Sequence, residues 1–368
     1  MSYSSPCFEE RRKKGKRVVV AMSGGVDSSV AAYLLKKEGF DVVGVTLKLF
    51  PEVSRCCRLE DIEDARKVAH FLDIPHYTFD FTQDFKKIVV DYFTFEYMAG
   101  RTPNPCVICN QKIKFGLLLQ RAQKMGASFL ATGHYARVKE VNGGLYLVKA
   151  RDKGKSQEYF LAFLSEEVLR QILFPLGEYS KKDIKKISEE ARVPLKPKRE
   201  SQEVCFVPSE NYVSFIEDHL GVTIRNGTIV SSAGEPLGTH KGFLYYTIGQ
   251  RRGIGIRAFS PYYVIGIDPI KNEVIIGSRE EAYCNSMKVH LVLWRKGEGI
   301  FPLSVRIRYR HDPAPATVEI KGMEALVKFN KPQFAPAPGQ IAVFYEQNRI
   351  IGSGKIGVLG NRSSTIAP

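Results

Sequence analysis

A glycine-rich turn directly after a short apolar run is the feature that most constrains this chain of 368 residues. The run from Arg17 to Met22 has the β-branched character of a buried strand, and Ser-Gly-Gly-Val-Asp-Ser-Ser follows it at residues 23–29. Two glycines let backbone N–H groups approach a bound anion, and a helix beginning here directs its positive end at the same anion. The turn therefore predicts a strand–loop–helix unit that binds the pyrophosphate part of ATP.

This turn lacks the lysine of the loop Gly-x-x-x-x-Gly-Lys-Ser/Thr, which contacts the β and γ phosphates in kinases and GTPases. Transfer of the terminal phosphate is therefore disfavoured. We expect cleavage elsewhere on the triphosphate, with release of pyrophosphate.

Strand and helix patterns alternate through the first half of the chain. Helices are predicted after the glycine-rich turn and over residues 62–72, 83–98 and 111–125, and strands over 17–22, 41–49, 76–81 and 128–132. Such alternation indicates an α/β fold with a doubly wound parallel sheet. Because ligands bind at the carboxyl ends of such strands, residues 23–29 and 132–135 are expected to converge on one pocket.

The second half has short alternating apolar segments separated by turn residues. Strands are predicted over residues 289–294, 303–310, 317–320, 325–329 and 341–345, which favours a small antiparallel β-barrel. A glycine-rich stretch at residues 241–253 marks a small central domain. We predict a basic extension at 1–16, an ATP pyrophosphatase domain at 17–208, the central domain at 209–278 and the barrel at 279–368.

Lysine and arginine outnumber aspartate and glutamate by 54 to 39, which gives a net charge of +15. A basic surface favours a polyanionic partner, most simply nucleic acid, because phosphate contacts release counterions. Simple colloidal solubility is the alternative. No run of about 18 apolar residues exists to span a bilayer, and residues 1–15 hold no apolar secretion segment. We expect a cytoplasmic protein with no membrane partner.

Three of the seven cysteines stand in settings that favour a thiolate. Cys106 and Cys109 lie three residues apart at a proline-started helix, and Cys109 is the better-placed nucleophile. Cys205 follows three basic residues. A pair of structural or incidental thiols remains the alternative, because this spacing alone is a weak signal. The other cysteines have no assigned role: Cys7, Cys56, Cys57 and Cys284.

Basic and aromatic residues in the second half favour nucleic-acid binding. Alternation from Arg306 through Arg308 to Arg310 places three guanidinium groups on one strand face, about 6.6 Å apart, with Tyr309 on the other face. A solvated strand face is the alternative. Lys155 and Gln157 belong to a second candidate contact segment, and a charged loop has the same composition.

Several motifs in register resemble those of bacterial tRNA-specific 2-thiouridylases, a family of the adenylating ATP pyrophosphatase superfamily. They are Ala21–Ser28, Thr102–Pro105, Cys109–Asn110, Ala131–Arg137, Gln202–Phe206 and Tyr246–Arg251. The resemblance covers residues 17 to 360. It implies ATP-dependent sulfur transfer to C2 of the wobble uridine in tRNAs for Lys, Glu and Gln.

The resemblance also implies roles for individual residues. Those that contact ATP would be Ala21, Met22, Ser23, Gly24, Gly25, Val26, Asp27, Ser28, Leu47 and Gly133. Those that contact tRNA would be Asn104, Pro105, Cys106, His134, Lys155, Ser156, Gln157, Arg308, Tyr309 and Gln340, the first three at the target base.

The reaction that the resemblance implies begins when the C2 oxygen attacks the α-phosphate, which forms an adenylate and releases pyrophosphate. Mg²⁺ is expected to balance the phosphate charge, with Asp27 as a contributor. Cys205 would receive a persulfide from an upstream sulfur carrier or cysteine desulfurase, and its terminal sulfur would attack C2. Cys109 would release the product by forming a transient disulfide with Cys205, which reductant resets.

One position departs from the family pattern, because Cys106 stands where many members have aspartate. Cys106, Cys109 and Cys205 could instead hold a [4Fe–4S] cluster whose fourth iron binds hydrosulfide. A thiol-only site and a zinc site are the alternatives. Two rival functions remain: an amidotransferase-like adenylating synthetase, which has no need of Cys109 and Cys205, and a noncatalytic RNA-binding protein, which has no need of the ATP loop.

Overall fold

The computed structural model describes residues 15–50, 59–194, 204–207 and 211–357. The basic extension up to residue 14, Cys7, Cys56, Cys57 and the basic residues before Cys205 lie outside the described residues. Two compact units contain the chain. Unit 1 combines Met1–Val90, Cys106–Glu210 and Asn348–Ile350, and unit 2 combines Asp91–Pro105, Asn211–Gln347 and Ile351–Pro368. The finer four-part division of the chain stays a prediction.

Seventeen strands and nine α-helices are described. The strands are β1 Arg17–Ala21, β2 Asp41–Lys48, β3 His76–Asp80, β4 Phe129–Thr132, β5 Ala136–Val141, β6 Gly144–Lys149, β7 Ile172–Leu173, β8 Gly227–Ser231, β9 Pro236–His240, β10 Tyr263–Asp268, β11 Glu273–Gly277, β12 Tyr283–Trp294, β13 Gly299–Arg306, β14 Ala314–Lys321, β15 Glu324–Phe334, β16 Ile341–Glu346 and β17 Arg349–Ile356.

The helices are α1 Val26–Lys37, α2 Leu59–Phe71, α3 Thr82–Phe85, α4 Asp91–Met98, α5 Pro105–Ile108, α6 Leu119–Lys124, α7 Glu166–Leu169, α8 Lys181–Glu190 and α9 Tyr212–Leu220. Lys86–Val90 and Cys109–Leu118 are π-helical, and Glu158–Leu161 and Phe243–Tyr245 are 3₁₀ turns. None of the helices in the described part of the chain combines the length and apolar character needed to cross a bilayer.

Unit 1 is built on a five-stranded parallel sheet in the order β3-β2-β1-β4-β7. Val18, Val19 and Val20 on β1 are all fully buried. Because successive side chains point to opposite faces of a sheet, both faces must be covered. The predicted doubly wound α/β sheet is therefore confirmed. The strand order reverses between β1 and β4, so the loops after these two strands diverge and leave a crevice at the carboxyl edge.

Helix α1 packs against the sheet on one side and against α8 on another. Ala32 and Leu35 pack into one core cluster with β1 and α2, and Val30 and Leu34 pack into a second cluster with Ile184 of α8. A helix whose apolar residues nearly encircle it is buried on most sides, which fixes its direction. Its first turn is thereby held at the end of β1.

Unit 2 contains two β structures. Strands β10-β11-β8-β9 form the sheet of the central domain. Strands β12-β15-β14-β13-β16-β17 follow one another as neighbours, and β12 also pairs with β17, from Val289 opposite Ile356 to Trp294 opposite Gly352. This pairing closes a six-stranded antiparallel barrel, so the predicted C-terminal barrel is confirmed.

The strand predicted over residues 303–310 is wrong at its end. β13 ends at Arg306, and Arg308 and Arg310 lie in the bend and turn that follow. The three guanidinium groups therefore do not share a strand face. The guanidinium of Arg306 instead lies over the ring of Tyr309, 5.5 Å from its centroid. The helix predicted to begin at residue 111 begins at Pro105, and its middle is π-helical.

His76 on β3 is a half-buried, neutral histidine at the edge of the unit 1 core. The hydroxyl of Thr46 donates to the Met22 carbonyl at 2.8 Å, so the His76 Nε2–H must donate to the Thr46 oxygen at 2.9 Å. Nδ1 of His76 is buried without a partner. Burial, assisted by the charge of Arg66, lowers the pKa of His76 to about 4.

We therefore expect acid to destabilise this core. Below about pH 6.5 the unfolded chain protonates this histidine while the folded protein does not, so stability falls as the pH drops toward 4. His76→Gln keeps a donor to Thr46 but cannot titrate. Between about pH 7 and about pH 5, the unfolding free energy of the wild type should fall by about 2 kcal/mol more than that of the variant. Thermal or denaturant unfolding measures this difference, and a pH-independent difference would contradict the assignment.

Candidate active site

The turn after β1 is fixed by its own serine hydroxyl groups. Gly25 caps α1 with extended backbone, and its carbonyl accepts from the hydroxyl groups of Ser28 at 3.2 Å and Ser29 at 2.9 Å. The Ser23 N–H donates to the Ser28 hydroxyl at 3.1 Å. Gly24 has φ +67°, and a Cβ there would lie 2.4 Å from the Asp61 carbonyl oxygen. Only glycine fits, and the first N–H groups of α1, which have no partner inside the helix, face the space beyond the turn.

Gly133, directly after β4, lies against the first turn of α1. A Cβ at this position would be 2.7 Å from the Ser28 nitrogen and 2.8 Å from the Asp27 carbonyl carbon. The two segments predicted to converge therefore meet backbone to backbone. Leu47 lies at the same edge, because β1 ends at Ala21 opposite Val45 while β2 continues to Lys48.

The carboxylate of Asp27 joins this turn to α8. Both Asp27 oxygens accept from the Lys181 ammonium at 2.8 Å, and the Tyr135 hydroxyl donates to Oδ1 at 2.8 Å. Lys181 is the first residue of α8, whose start is fixed by a capping box between Ser180 and Asp183. A lysine from a distant part of the chain thus stands at the glycine-rich turn, which has no lysine of its own.

Lys181 also lines an open cavity of about 730 Å³ in unit 1. Its walls carry five basic and two acidic side chains: Arg151, Lys153, Lys155, Lys181 and Lys182, with Asp152 and Asp183. The excess of positive charge suits a polyanion. Ser156 and Gln157 face the protein instead. Ser156 is buried and accepts from the Ala150 N–H at 2.8 Å, and the Gln157 Oε1 accepts from the Tyr135 N–H at 2.9 Å.

His134 lies between two aromatic rings beside the turn. Its ring centroid is 6.0 Å from that of Phe115 and 6.2 Å from that of Phe174, and its Nδ1 is 2.7 Å from the Thr132 hydroxyl. Burial, assisted by the charge of Lys114, holds the pKa of His134 well below its usual value. His134 therefore offers a neutral imidazole, which can form hydrogen bonds or stack but carries no charge for a phosphate.

The three candidate thiols differ in exposure. Cys109 is buried at the start of the π-helical segment, Cys106 is exposed in the turn before it, and Cys205 is intermediate. Asn110, next to Cys109, is buried and donates to the Phe160 carbonyl at 3.0 Å. The segment that carries Cys205 is held by Phe206, whose ring packs edge-on to Phe85 with centroids 5.5 Å apart.

No set of three metal-ligating side chains is gathered anywhere in the described ranges. A [4Fe–4S] cluster needs Cys106, Cys109 and Cys205 together, and the described residues do not form such a set. Asp27 does not fit a protein-held Mg²⁺ either, because its carboxylate already binds the ammonium of Lys181. Magnesium is therefore best treated as part of the Mg–ATP substrate.

The remaining tRNA candidates belong to unit 2. Arg308 donates through Nη2 to the Ile248 carbonyl at 2.9 Å and the Ala335 carbonyl at 2.6 Å, so one side of its guanidinium is used within the unit. Gln340 donates through Nε2 to the Thr102 carbonyl at 3.0 Å and the Pro103 carbonyl at 3.2 Å, directly before Asn104 and Pro105.

Sequence reasoning missed Lys181 and the hydroxyl role of Tyr135. Tyr135 belongs to the motif after β4, but nothing in its pattern indicated a bond to Asp27. Lys181 stands among three further lysines in a stretch for which no helix was predicted and which has the composition of an ordinary surface. The one sequence signal that pointed to such a lysine was the absence of a lysine from the turn itself.

Comparisons with known proteins extend this picture over the whole chain. Residues 16–209 match the family described as tRNA methyl transferase HUP domain, 213–278 match its PRC-barrel domain, and 284–356 match the aminomethyltransferase beta-barrel domain. A tRNA-specific 2-thiouridylase MnmA of Geobacter metallireducens is 44% identical over 358 residues, covering 94% of this chain and 97% of the relative. A protein of the same name from Clostridium kluyveri is 44% identical, covering 93% and 99%.

The parallel sheet with its glycine-rich turn, followed by a central β-domain and a β-barrel, defines a HUP-domain protein with two appended β-domains. Since relatives at this identity are matched over nearly their full length, the closer assignment is also clear. The chain belongs to the family of tRNA-specific 2-thiouridylases.

The contact at Gly133 gives a direct test of the ATP site. In Gly133→Ala, the added methyl group would overlap the backbone of Asp27 and Ser28 and displace the turn. We expect kcat/KM for ATP to fall by about tenfold or more. Gly297→Ala is the control, because a Cβ there meets nothing within 4 Å. Pyrophosphate release measures both variants, and equal activity would show that the turn does not bind ATP.

Proposed function

We propose that this chain replaces the C2 oxygen of a tRNA uridine by sulfur at the expense of ATP, as a tRNA-uridine 2-sulfurtransferase. Family membership supports this reaction. The observation that carries this proposal is that the helical segment with Cys109 and the glycine-rich turn are neighbours in unit 1. The helical segment that begins at Cys109 packs its Phe115 against His134, and His134 follows Gly133 at the phosphate-binding turn.

The activating half of the reaction belongs to the turn after β1. The C2 carbonyl oxygen attacks the α-phosphorus of ATP, the bond to the bridging oxygen breaks, and pyrophosphate leaves with that electron pair. Backbone N–H groups at the start of α1 and the ammonium of Lys181 oppose the charge that develops on the leaving group. The adenylated oxygen then departs as AMP.

Cys205 and Cys109 carry out the second half of the reaction, which is the transfer of sulfur to C2. Cys205 carries a persulfide received from an upstream sulfur carrier or cysteine desulfurase, and its terminal sulfur attacks C2 as AMP leaves. The Cys109 thiolate then attacks the Cys205 sulfur, which releases the 2-thiouridine and leaves a Cys109–Cys205 disulfide. A thiol reductant supplies the two electrons that reset it. Cys109 is buried and Cys205 is intermediate, so both are partly screened from unwanted oxidation.

The substrate is the wobble uridine of tRNAs for Lys, Glu and Gln, turned out of the anticodon stack toward Asn104, Pro105 and Cys106. The predicted domain division assigns activation to residues 17–208 and tRNA binding largely to the barrel at 279–368. Lys155 and its basic cavity support a contact with the tRNA backbone. Arg308, Tyr309 and a neutral His134 complete the proposed contacts, and we place the reaction in the cytoplasm.

The test of the reaction is mass spectrometry of nucleosides from a strain that lacks this protein. The wild-type gene should restore 2-thiouridine in the three tRNAs, and Cys109→Ser and Cys205→Ser should restore none. Cys284→Ser is the control, since this buried cysteine lies on β12 in unit 2. Unchanged 2-thiouridine in the deletion strain would refute the function.

Cys106→Ser distinguishes the two sulfur carriers. A persulfide mechanism should leave thiolation largely intact in this variant, because Cys109 and Cys205 remain. A [4Fe–4S] mechanism predicts bound iron and visible absorbance in anaerobically purified protein, both lost together with thiolation in Cys106→Ser. The second outcome would overturn the persulfide assignment while preserving the overall reaction.

The role of Lys181 is tested by Lys181→Met, which keeps the length of the side chain but removes its charge. We expect pyrophosphate release to fall by about a hundredfold because the leaving phosphates lose a cation. Lys186→Met on the same helix is the control, since Lys186 is exposed and pairs with Glu190 at 3.6 Å. A loss of thermal stability with unchanged turnover would assign Lys181 a purely structural role.

A further inference from the structure

Two of the three target-base residues, Asn104 and Pro105, belong to a different unit from the thiols. Asp91–Pro105 lies in unit 2, and unit 1 resumes at Cys106. The HUP family match nevertheless runs without a break from 16 to 209. A part of the sequence that belongs to the nucleotide-binding domain is thus packed as part of the unit that contains the barrel.

The contacts of this segment within unit 2 begin on helix α4. The Nε2–H of His219 donates to the Asp91 carboxylate at 2.8 Å, and the rings of Tyr97 and Tyr212 lie 4.7 Å apart. Lys355, near the end of β17, lies 4.3 Å from the centre of the Tyr92 ring. Helix α4 is therefore anchored both to α9 and to the barrel.

The loop after α4 is held by the turn between β15 and β16, which includes Gln340. The Thr102 N–H donates to the Pro338 carbonyl at 2.8 Å. A Cβ on Gly339, which has φ +86°, would lie 3.0 Å from the Arg101 Cβ and 3.1 Å from the Thr102 nitrogen. The loop and the turn are in such close contact that glycine is required between them.

Gln340 completes this anchorage by donating to two successive carbonyl groups. Its Nε2 is 3.0 Å from the Thr102 oxygen and 3.2 Å from the Pro103 oxygen, and a primary amide has two hydrogens for them. Pro103 and Pro105 have no N–H to donate, so this stretch of backbone can be fixed mainly through its carbonyl groups. The Gln340 backbone is itself fixed, because its carbonyl accepts from the Ile356 N–H at 2.8 Å.

We propose that Gln340 is a positioning residue that fixes the target-base segment, defined as Thr102–Pro105, on the barrel unit, so that the barrel and this segment present the uridine as one body. The inference rests on the proposed function, because it uses Asn104, Pro105 and Cys106 as the target-base residues. In this role, Gln340 holds the protein backbone and does not contribute to the affinity for tRNA. A tRNA bound by the barrel then meets a target-base segment that is already correctly positioned relative to the barrel.

Gln340→Glu tests this role because it keeps the size of the side chain and removes the donor. A carboxylate would face two carbonyl oxygens, so the anchorage should be lost. Single-turnover thiolation at saturating tRNA should fall by about tenfold or more, since a small misplacement of the reacting group is costly. The Kd for tRNA and the KM for ATP should change by less than about twofold.

Gln333→Glu is the matched control. Gln333 is also on the barrel unit and also donates through Nε2 to a carbonyl, that of its neighbour Lys331 at 2.9 Å. The Gln333→Glu variant introduces the same charge without touching the target-base segment. Its thiolation rate should therefore match that of the wild type. If Gln340→Glu weakens tRNA binding and regains full turnover at saturating tRNA, Gln340 is a tRNA contact and the proposal fails.

A second measurement does not depend on the reaction. Hydrogen exchange in the free protein should be about tenfold faster at the Thr102 amide in Gln340→Glu than in the wild type or Gln333→Glu. Unchanged exchange would overturn the anchorage directly. Faster exchange in a protein whose wild type makes no 2-thiouridine would refute the proposed function and leave the anchorage standing.

Discussion

The backbone contact between Gly133 and the first turn of α1 is the constraint on which the site in unit 1 depends. The parallel order β3-β2-β1-β4-β7 makes the chain diverge after β1 and β4, and the missing side chain at Gly133 lets the two diverging loops meet again. Without that contact, nothing would pack against this side of the turn after β1. Gly24 provides the equivalent close approach to Asp61 on the other side. A turn held from two directions can present its N–H groups with little reorganisation when phosphate binds.

The electrostatics of the site follow from the same arrangement. The turn contributes N–H groups and a carboxylate but no cation, and α8 contributes the cation through Lys181. Asp27 thus acts on the lysine, holding its ammonium group beside the turn, and Tyr135 shares the same carboxylate.

Much of the fold was predictable because its signals are local. The strand–turn–helix unit at residues 17–37, the helix over Leu59–Phe71 and the strand at Phe129–Thr132 each have a clear apolar period and were predicted close to their observed bounds. The prediction failed where structure depends on distant partners. β17 is a strand because β12 pairs with it to close the barrel, and β13 ends at Arg306 although the alternating pattern continues to residue 310.

The sequence by itself determined the family, through the order of its motifs, and it predicted a turn for pyrophosphate and reactive thiols at Cys106, Cys109 and Cys205. These features depend on residue type and short spacing, which the chain carries locally. Only the tertiary structure decided how these groups are used. It brought Lys181 to Asp27, it made His134 neutral by burial, and it attached Thr102 and Pro103 to Gln340. Each of these joins residues that are far apart along the chain or depends on desolvation, and both effects arise only once the chain has packed.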